Sequence, residues 1–129
     1  MGVLSMAICW ENYMPLLRSH LYNQGTQVHC VPTVDDRDVW LPTLQMIALE
    51  GRCFVVSACQ FMTMGDVSAD WFEPIQGTKP DTVLIRGGSC IISPMGEVLA
   101  APVFNKETIV SAGIDMDEIK RAKFDLDVS

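Results

Sequence analysis

The chain has 129 residues, 49% of them hydrophobic, and carries a formal net charge of −7. This length and composition are typical of one globular domain and exclude a disordered chain. The negative charge repels nucleic acid and anionic lipid, so we expect neither nucleic acid nor a membrane as a partner.

The first half of the chain predicts strands that alternate with helices. A run of mostly apolar residues over 3–9 predicts a strand buried on both faces. Pro15 suits the first turn of a helix that ends near Gly25. The pattern then predicts a strand over residues 27–32, a helix from about Pro42 to Gly51, and a strand over residues 53–58.

The second half predicts fewer helices. Residues 61–80 are typical of a long loop that serves as a lid or pocket wall. Residues 89–93 and 97–101 flank Pro94-Met95-Gly96 and predict a hairpin. A strand over 108–114 and a helix over 115–123 complete an α/β layered domain, in which we find no linker.

Five cysteines bear on the compartment in which the protein works. They form an odd set without a C-x-x-C pair, whereas a secreted disulfide scaffold is usually shorter and uses an even number. The N-terminus has no basic region before its apolar run, and no stretch approaches the ~20 apolar residues of a membrane span. We therefore expect a reduced, cytoplasmic protein.

Cys9 lies where a predicted strand gives way to a predicted helix. A helix N-terminus offers unpaired backbone N–H groups that stabilise a thiolate or an oxyanion. Position alone leaves two interpretations open, because a free cysteine is more often a small buried hydrophobe than a nucleophile. A pairing of Cys9 with His29 and with Asp35 or Asp36 would imitate a papain-like triad.

The residues around Cys9 carry a family motif. Residues 8–18 (ICWENYMPLLR) closely resemble the nucleophile motif of nitrilases, in which a Cys-Trp-Glu triplet is followed by a Pro and an Arg at this spacing. The resemblance is nearer to nitrilases and cyanide-converting enzymes than to amidases acting on carbamoyl compounds. It extends through Trp40 and residues 48–55, 87–89, 92–97, 114–115 and 121–125, and so covers essentially the whole chain.

This resemblance implies a fold and a reaction. The fold is the layered α-β-β-α sandwich of the nitrilase type, of which residues 1–129 would be a single, partial, C-terminal domain. The reaction is hydrolysis of a nitrile to a carboxylate and ammonia through a covalent thioimidate, or release of an amide if the first intermediate collapses the other way. Cys9 would be the nucleophile, the backbone N–H of Trp10 would hold the developing anion, and Glu11 would be a positioning or pocket residue. No cofactor and no metal is implied.

Two groups of the family's active site have no counterpart in this sequence. In the family a general-base Glu and a charge-stabilising Lys precede the cysteine, but only eight residues precede Cys9 and none is Glu or Lys. Relatives also usually continue into a Gly-His-Tyr-x-Arg-Pro segment. We therefore expect a truncated chain with an exposed sheet edge that is inactive, or nearly so, by itself. It would form a homo-oligomer, with contacts from the helix after Cys9, or act as a non-catalytic fragment that associates with complete subunits.

The other histidines and cysteines have structural interpretations. His29 alternates with core positions on a predicted strand, where a lone histidine is more often a hydrogen-bonded structural residue than a base. We expect His20 to be partly exposed on its helix. Cys53 and Cys59 share strand parity, which favours core packing, and no zinc spacing is present.

The remaining arginines, glycines and aromatics predict no phosphate site. We expect Arg52 and Arg86 in ion pairs or oligomer contacts, and Gly87-Gly88 in a turn. Four aromatic residues belong either to the core or to an apolar pocket around the nitrile substituent. They are Trp40, Phe61, Trp71 and Phe72.

Overall fold

The computed structural model of the chain describes residues 2–68 and 78–126. Its strands are β1 (Leu4–Met6), β2 (Val28–Thr33), β3 (Phe54–Cys59), β4 (Phe61–Thr63), β5 (Val83–Arg86), β6 (Cys90–Ile92) and β7 (Val98–Ala100). Its α-helices are α1 (Pro15–Tyr22), α2 (Trp40–Gly51) and α3 (Asp117–Asp125). None of these helices is long and apolar enough to cross a membrane.

A mixed sheet of five strands, in the order β1-β2-β3-β6-β7, forms the centre of the fold. The first three strands are parallel, as the intervening helices require, and β3, β6 and β7 are antiparallel. Strands β4 and β5 form a separate antiparallel pair. The predicted strands at 27–32 and 53–58, the first two helices and the hairpin are therefore confirmed, and the last helix begins two residues later than predicted.

The core lies between one face of the main sheet and α2. Along β2 buried residues alternate with half-buried ones, so that His29 and Val31 lie on the buried face of the strand. Val31 and Leu44 have no exposed surface. The connected apolar cluster comprises Tyr22, Val31, Trp40, Leu44, Ile47, Ala48, Cys53, Val55, Cys90 and Ile92.

The prediction for the first strand is wrong in both length and burial. Strand β1 has three residues rather than seven, and it pairs only with β2 at the edge of the sheet. Leu4 is 68% exposed and Met6 is 61% exposed, on the face of the sheet opposite the helices. The apolar run is suited to burial on both faces, but the described residues cover only one of them.

The predicted strand over residues 108–114 is also wrong, because no regular structure forms there. Ile109 is 96% exposed. The local pattern has strand character, but within residues 2–68 and 78–126 no neighbouring strand supplies hydrogen-bond partners for its backbone.

The predicted loop over residues 61–80 begins instead as structure. Phe61–Thr63 forms β4, whose partner β5 the sequence did not predict, and the pairing contains an irregularity between Met62 and Thr63. Strands of three and four residues are too short to show a clear alternation. Trp71, Phe72 and the rest of the predicted lid over residues 69–77 lie outside the described residues.

Gly51→Ala is expected to destabilise the fold, although alanine is the better helix former. A β-carbon at Gly51, the last residue of α2, would lie 2.5 Å from Cε1 of Tyr22, whose ring belongs to the core. Displacing a packed ring costs about 1–3 kcal/mol, which exceeds the ~1 kcal/mol gained in helix propensity. Urea unfolding measures the change, with Gly113→Ala as the control because nothing lies within 4 Å of its added carbon. A more stable Gly51→Ala protein would contradict this packing argument.

Candidate active site

Cys9 occupies a sharp elbow between β1 and α1. The strand ends at Met6, and Cys9 begins a short 3-10 helix (Cys9–Tyr13) that leads into α1 at Pro15. The φ of Cys9 is 48°, in the left-handed region that residues with a side chain rarely adopt. A left-handed backbone at a non-glycine residue persists only where its surroundings hold it in place.

Asn12 holds this elbow from inside. Its side chain is fully buried, and Nδ2 donates to the carbonyl oxygen of Ala7 at 2.8 Å and to that of Cys9 at 2.9 Å. Asn12 Oδ1 lies 2.8 Å from Nε2 of the fully buried His29, and Nδ1 of His29 lies 2.7 Å from Oγ of Ser5. The network therefore connects the elbow to both β1 and β2.

The sulfur of Cys9 has a hydrogen-bond donor that sequence reasoning missed. Oγ1 of Thr33, at the end of β2, donates to Sγ at 3.2 Å and itself accepts from the backbone N–H of Asp35 at 2.9 Å. Because β1 and β2 are parallel, their carboxyl ends lie at the same edge of the sheet. In α/β folds functional groups lie at the edge formed by the carboxyl ends of the strands. The polar residue Thr33 at the end of the second predicted strand was therefore the sequence signal for a contact with Cys9.

The indole of Trp10 is held over the elbow by an ion pair. Nε1 of Trp10 donates to Oδ2 of Asp35 at 2.8 Å, and the guanidinium of Arg37 lies 5.5 Å from the centre of the ring. Arg37 also forms an ion pair with Asp35. Hydrogen bonds from Arg37 hold the pKa of Asp35 well below its usual range, so this carboxylate stays ionised.

Glu11 caps the 3-10 helix. Its Oε2 accepts a hydrogen bond from the backbone N–H of Ile8 at 2.6 Å, and its own N–H donates to the carbonyl of Ile8 at 3.0 Å. The exposed carboxylate is thus engaged with the backbone next to Cys9. The role of Glu11 as a positioning or pocket residue stays a prediction.

The structure does not assemble the papain-like triad. Both ring nitrogens of His29 are bound to Asn12 and Ser5, and neither contacts Cys9. Burial, with a smaller contribution from the charge of Arg18, lowers the pKa of His29 to about 4. A neutral, fully hydrogen-bonded imidazole has the structural role that its position on β2 predicted.

One cavity adjoins the elbow, and a second lies farther along the same edge of the sheet. The first, of about 210 Å³, is lined by Cys9, Trp10, Val34, Asp35, Asp36 and Arg37. The second, of about 400 Å³, lies beyond Thr33 and has Phe61 in its wall. Trp40 is instead a core residue, 3% exposed, with its ring edge-on to Tyr13 at 5.7 Å.

Three other cysteines, Cys53, Cys59 and Cys90, are buried and have a structural role. Burial raises the pKa of Cys53 to about 12 and that of Cys90 to about 11, so these thiols stay protonated. Burial likewise raises the pKa of Cys59 to about 11. Within residues 2–68 and 78–126 no group of three or more His, Cys, Asp or Glu side chains is placed to hold a metal ion.

Arg52, Arg86 and His20 each have a side-chain partner. Arg52 pairs with Asp125 at 3.1 Å, and Arg86 pairs with Asp38, so both arginines make the predicted ion pairs. His20 is exposed and hydrogen-bonded to Gln24 at 2.8 Å.

Comparison with known proteins places these residues in a family. The carbon–nitrogen hydrolase family model matches residues 1–124. The chain is 56% identical over its full length to a nitrilase of Bradyrhizobium diazoefficiens and 54% identical over 98% of its length to an arylacetonitrilase of Trametes versicolor. It spans about 40% of the length of each of these relatives.

A solved structure confirms the predicted α/β fold class. The carbon–nitrogen hydrolase from Helicobacter pylori superposes on 98% of this chain with a TM-score of 0.76 at 18% sequence identity. The match covers 45% of that protein. The layered fold is therefore present over part of its full extent.

Proposed function

Because the chain belongs to the carbon–nitrogen hydrolase family, we propose that it carries the nucleophile of a nitrilase-type active site, as the C-terminal part of the complete fold. The observation that carries the proposal is the elbow at Cys9. Its backbone is held in a left-handed conformation, and its side chain lies at the wall of a cavity rather than in the core. The substrate class is a small organic nitrile.

The reaction follows from the chemistry of a thiolate. The sulfur of Cys9 adds to the nitrile carbon and a proton goes to the nitrogen, which gives a covalent thioimidate. Water adds to the same carbon and ammonia leaves, which gives a thioester. A second water releases the carboxylate and regenerates the thiol. Expulsion of the thiolate, instead of ammonia, from the first tetrahedral intermediate gives an amide.

Trp10 and Glu11 would support this chemistry without reacting. The backbone N–H of Trp10, the residue after the nucleophile, donates to the anion that develops on addition. Glu11 holds the start of the 3-10 helix through the N–H of Ile8. Thr33 donates a hydrogen bond to the sulfur and so orients it.

The chain by itself is expected to turn over little or no nitrile. Among the described residues, the sulfur of Cys9 is hydrogen-bonded to the hydroxyl of Thr33 and to no carboxylate or ammonium group. Each water must lose a proton and ammonia must gain one, so a general base within hydrogen-bond reach is needed. A complete subunit would supply that base, which makes association with such a subunit part of the proposal.

The test measures ammonia release from an arylacetonitrile and from an aliphatic nitrile. The chain is assayed alone, and then mixed with a complete relative whose own nucleophile has been replaced by alanine. We expect turnover only in the mixture, and we expect Cys9→Ala to lower it by at least about 10³-fold, as loss of a nucleophile does. Equal rates for Cys9 and Cys9→Ala would exclude the assigned nucleophile. Cys9-dependent turnover by the lone chain would contradict the need for a partner.

A non-catalytic fragment is the second candidate. The exposed apolar side chains of Leu4 and Met6 on an edge strand favour association. Stable co-elution with complete subunits, without Cys9-dependent turnover of either nitrile, would favour this role over catalysis.

A further inference from the structure

We propose that Asn12 and His29 form a positioning pair that holds the Cys9 elbow in the geometry required for attack. The pair touches neither the sulfur nor a substrate, and it acts on the backbone of Cys9. The inference rests on the proposed role of Cys9 as the nucleophile.

The orientation of the Asn12 side chain is fixed by its contacts. Nδ2 lies within 2.9 Å of two carbonyl oxygens, those of Ala7 and Cys9, and a carbonyl can only accept. Both amide hydrogens are therefore used on the elbow, one on each side of it in sequence. Oδ1 is left facing His29 at 2.8 Å and must accept a hydrogen bond.

The tautomer of His29 follows from that orientation. Nε2 must carry the hydrogen that it donates to Asn12, so Nδ1 is unprotonated and accepts from the hydroxyl of Ser5 at 2.7 Å. Every donor and acceptor in this buried chain then has a partner. The reversed amide would place its oxygen against two carbonyl oxygens, at the cost of leaving both unpaired.

The strained backbone explains why this pair matters. Cys9 has a φ of 48°, and its own carbonyl is one of the two acceptors that Asn12 binds. Without those bonds the left-handed turn loses its restraint and the residue can relax toward an ordinary backbone conformation. The sulfur would then move relative to Thr33 and to the N–H groups of the 3-10 helix, and a displacement of about 1 Å can cost 10²-fold in rate.

Two substitutions at His29 distinguish the effect of its hydrogen bond to Asn12 from the effect of losing the packed imidazole ring. In His29→Gln the amide nitrogen can reach the place of Nε2 and keep the hydrogen bond to Asn12. In His29→Asn the shorter side chain reaches only the place of Nδ1, so that bond is lost. Both variants are polar, and both remove the imidazole.

The measurement is alkylation of the folded chain by iodoacetamide, mapped to each cysteine by peptide mass spectrometry. Cys30 is half-buried on β2 and gives the reference rate, while labelling of buried Cys53 and Cys90 reports any general opening. We expect the ratio of Cys9 to Cys30 labelling to fall by about tenfold in His29→Asn and Asn12→Leu, because the sulfur moves away from the N–H groups of the 3-10 helix that favour its reaction. In His29→Gln it stays within about twofold of the original chain because the restraint is kept.

The matched control is Ser57→Ala. Ser57 is buried on the same sheet face and donates to the carbonyl of Val31 at 3.0 Å, but it does not contact the elbow. We expect this variant to leave the labelling ratio unchanged. Equal ratios in His29→Gln and His29→Asn, or a fall of the same size in Ser57→Ala, would overturn the positioning role.

The alkylation experiment does not depend on nitrile turnover, so the positioning role and the proposed nucleophile can fail separately. If Cys9 is not the nucleophile, the mixed assay shows no dependence on Cys9 while the alkylation ratios still follow the His29 variants. If the positioning role is wrong, Cys9-dependent turnover remains while the two His29 variants label alike.

Discussion

Leu44→Ala is expected to lower the free energy of unfolding by about 3–5 kcal/mol, which is a large part of the stability of a domain of this size. Leu44 has no exposed surface and lies at the centre of α2, within the apolar cluster that joins the helix to the sheet. Its removal loses the transfer free energy of the buried side chain and leaves a cavity that packed neighbours fill only in part.

Leu16→Ala is the matched control for this prediction. Leu16 lies on α1 and is 87% exposed, so the same chemical change removes almost no buried surface. We expect a change within about 0.5 kcal/mol. Urea unfolding followed by circular dichroism measures both variants, and a loss below about 1 kcal/mol for Leu44→Ala would contradict the core assignment.

Helix α2 shows which parts of the fold a local pattern determines. Its apolar stripe at helical spacing, with Pro42 in the first turn and Gly51 at the end, is a signal contained in twelve consecutive residues. The position of a helix that packs on one face depends mainly on such a stripe. The hairpin around Gly96 was predicted for the same reason, since its two strands and its turn are close in sequence.

The strand predictions were wrong where a strand depends on a pairing partner that is distant in sequence. Residues 108–114 have strand character but pair with no strand in the described part of the chain, whereas β5 is short but pairs with β4 across about twenty residues of chain. Strand propensity mainly reports how a side chain fits a half-buried sheet surface, so it does not determine which segment pairs with which. The exposure of Leu4 has the same origin, because burial of β1 needs a partner on its second face.

The residues of the candidate site also differ in whether local sequence or strand pairing determines their position. Cys9, Trp10 and Glu11 are consecutive, and the triplet locates them without any knowledge of the fold. Thr33 reaches the sulfur only because β1 and β2 are parallel neighbours.

The partners of His29 depend on strand register. The register of β1 and β2 places Ser5 directly opposite His29. A shift of one residue would turn His29 to the opposite face of the sheet. The network behind the elbow therefore required the three-dimensional structure.

The stability of the chain is expected to fall as the pH is lowered from about 6.5 to about 4, through His29. Burial lowers the pKa of His29 in the folded chain to about 4, against 6.5 for an ordinary histidine. Between these values the unfolded chain binds a proton that the folded chain does not, so acid favours unfolding. The contribution is fully present above pH 6.5 and is lost progressively as the pH falls, up to about 3 kcal/mol in total.

His29→Gln isolates this effect because it removes the titrating group and keeps the donor to Asn12. Urea unfolding at several pH values between 7 and 4 should show the original chain losing stability more steeply than the variant, with the two profiles parallel above pH 6.5. Asp35, whose pKa Arg37 holds low in the folded chain, is present in both proteins and so affects the two profiles alike. Profiles that stay parallel down to pH 4 would mean that His29 accepts a proton at Nδ1 in the folded chain, and that the hydroxyl of Ser5 then accepts a hydrogen bond from Nδ1 instead of donating one.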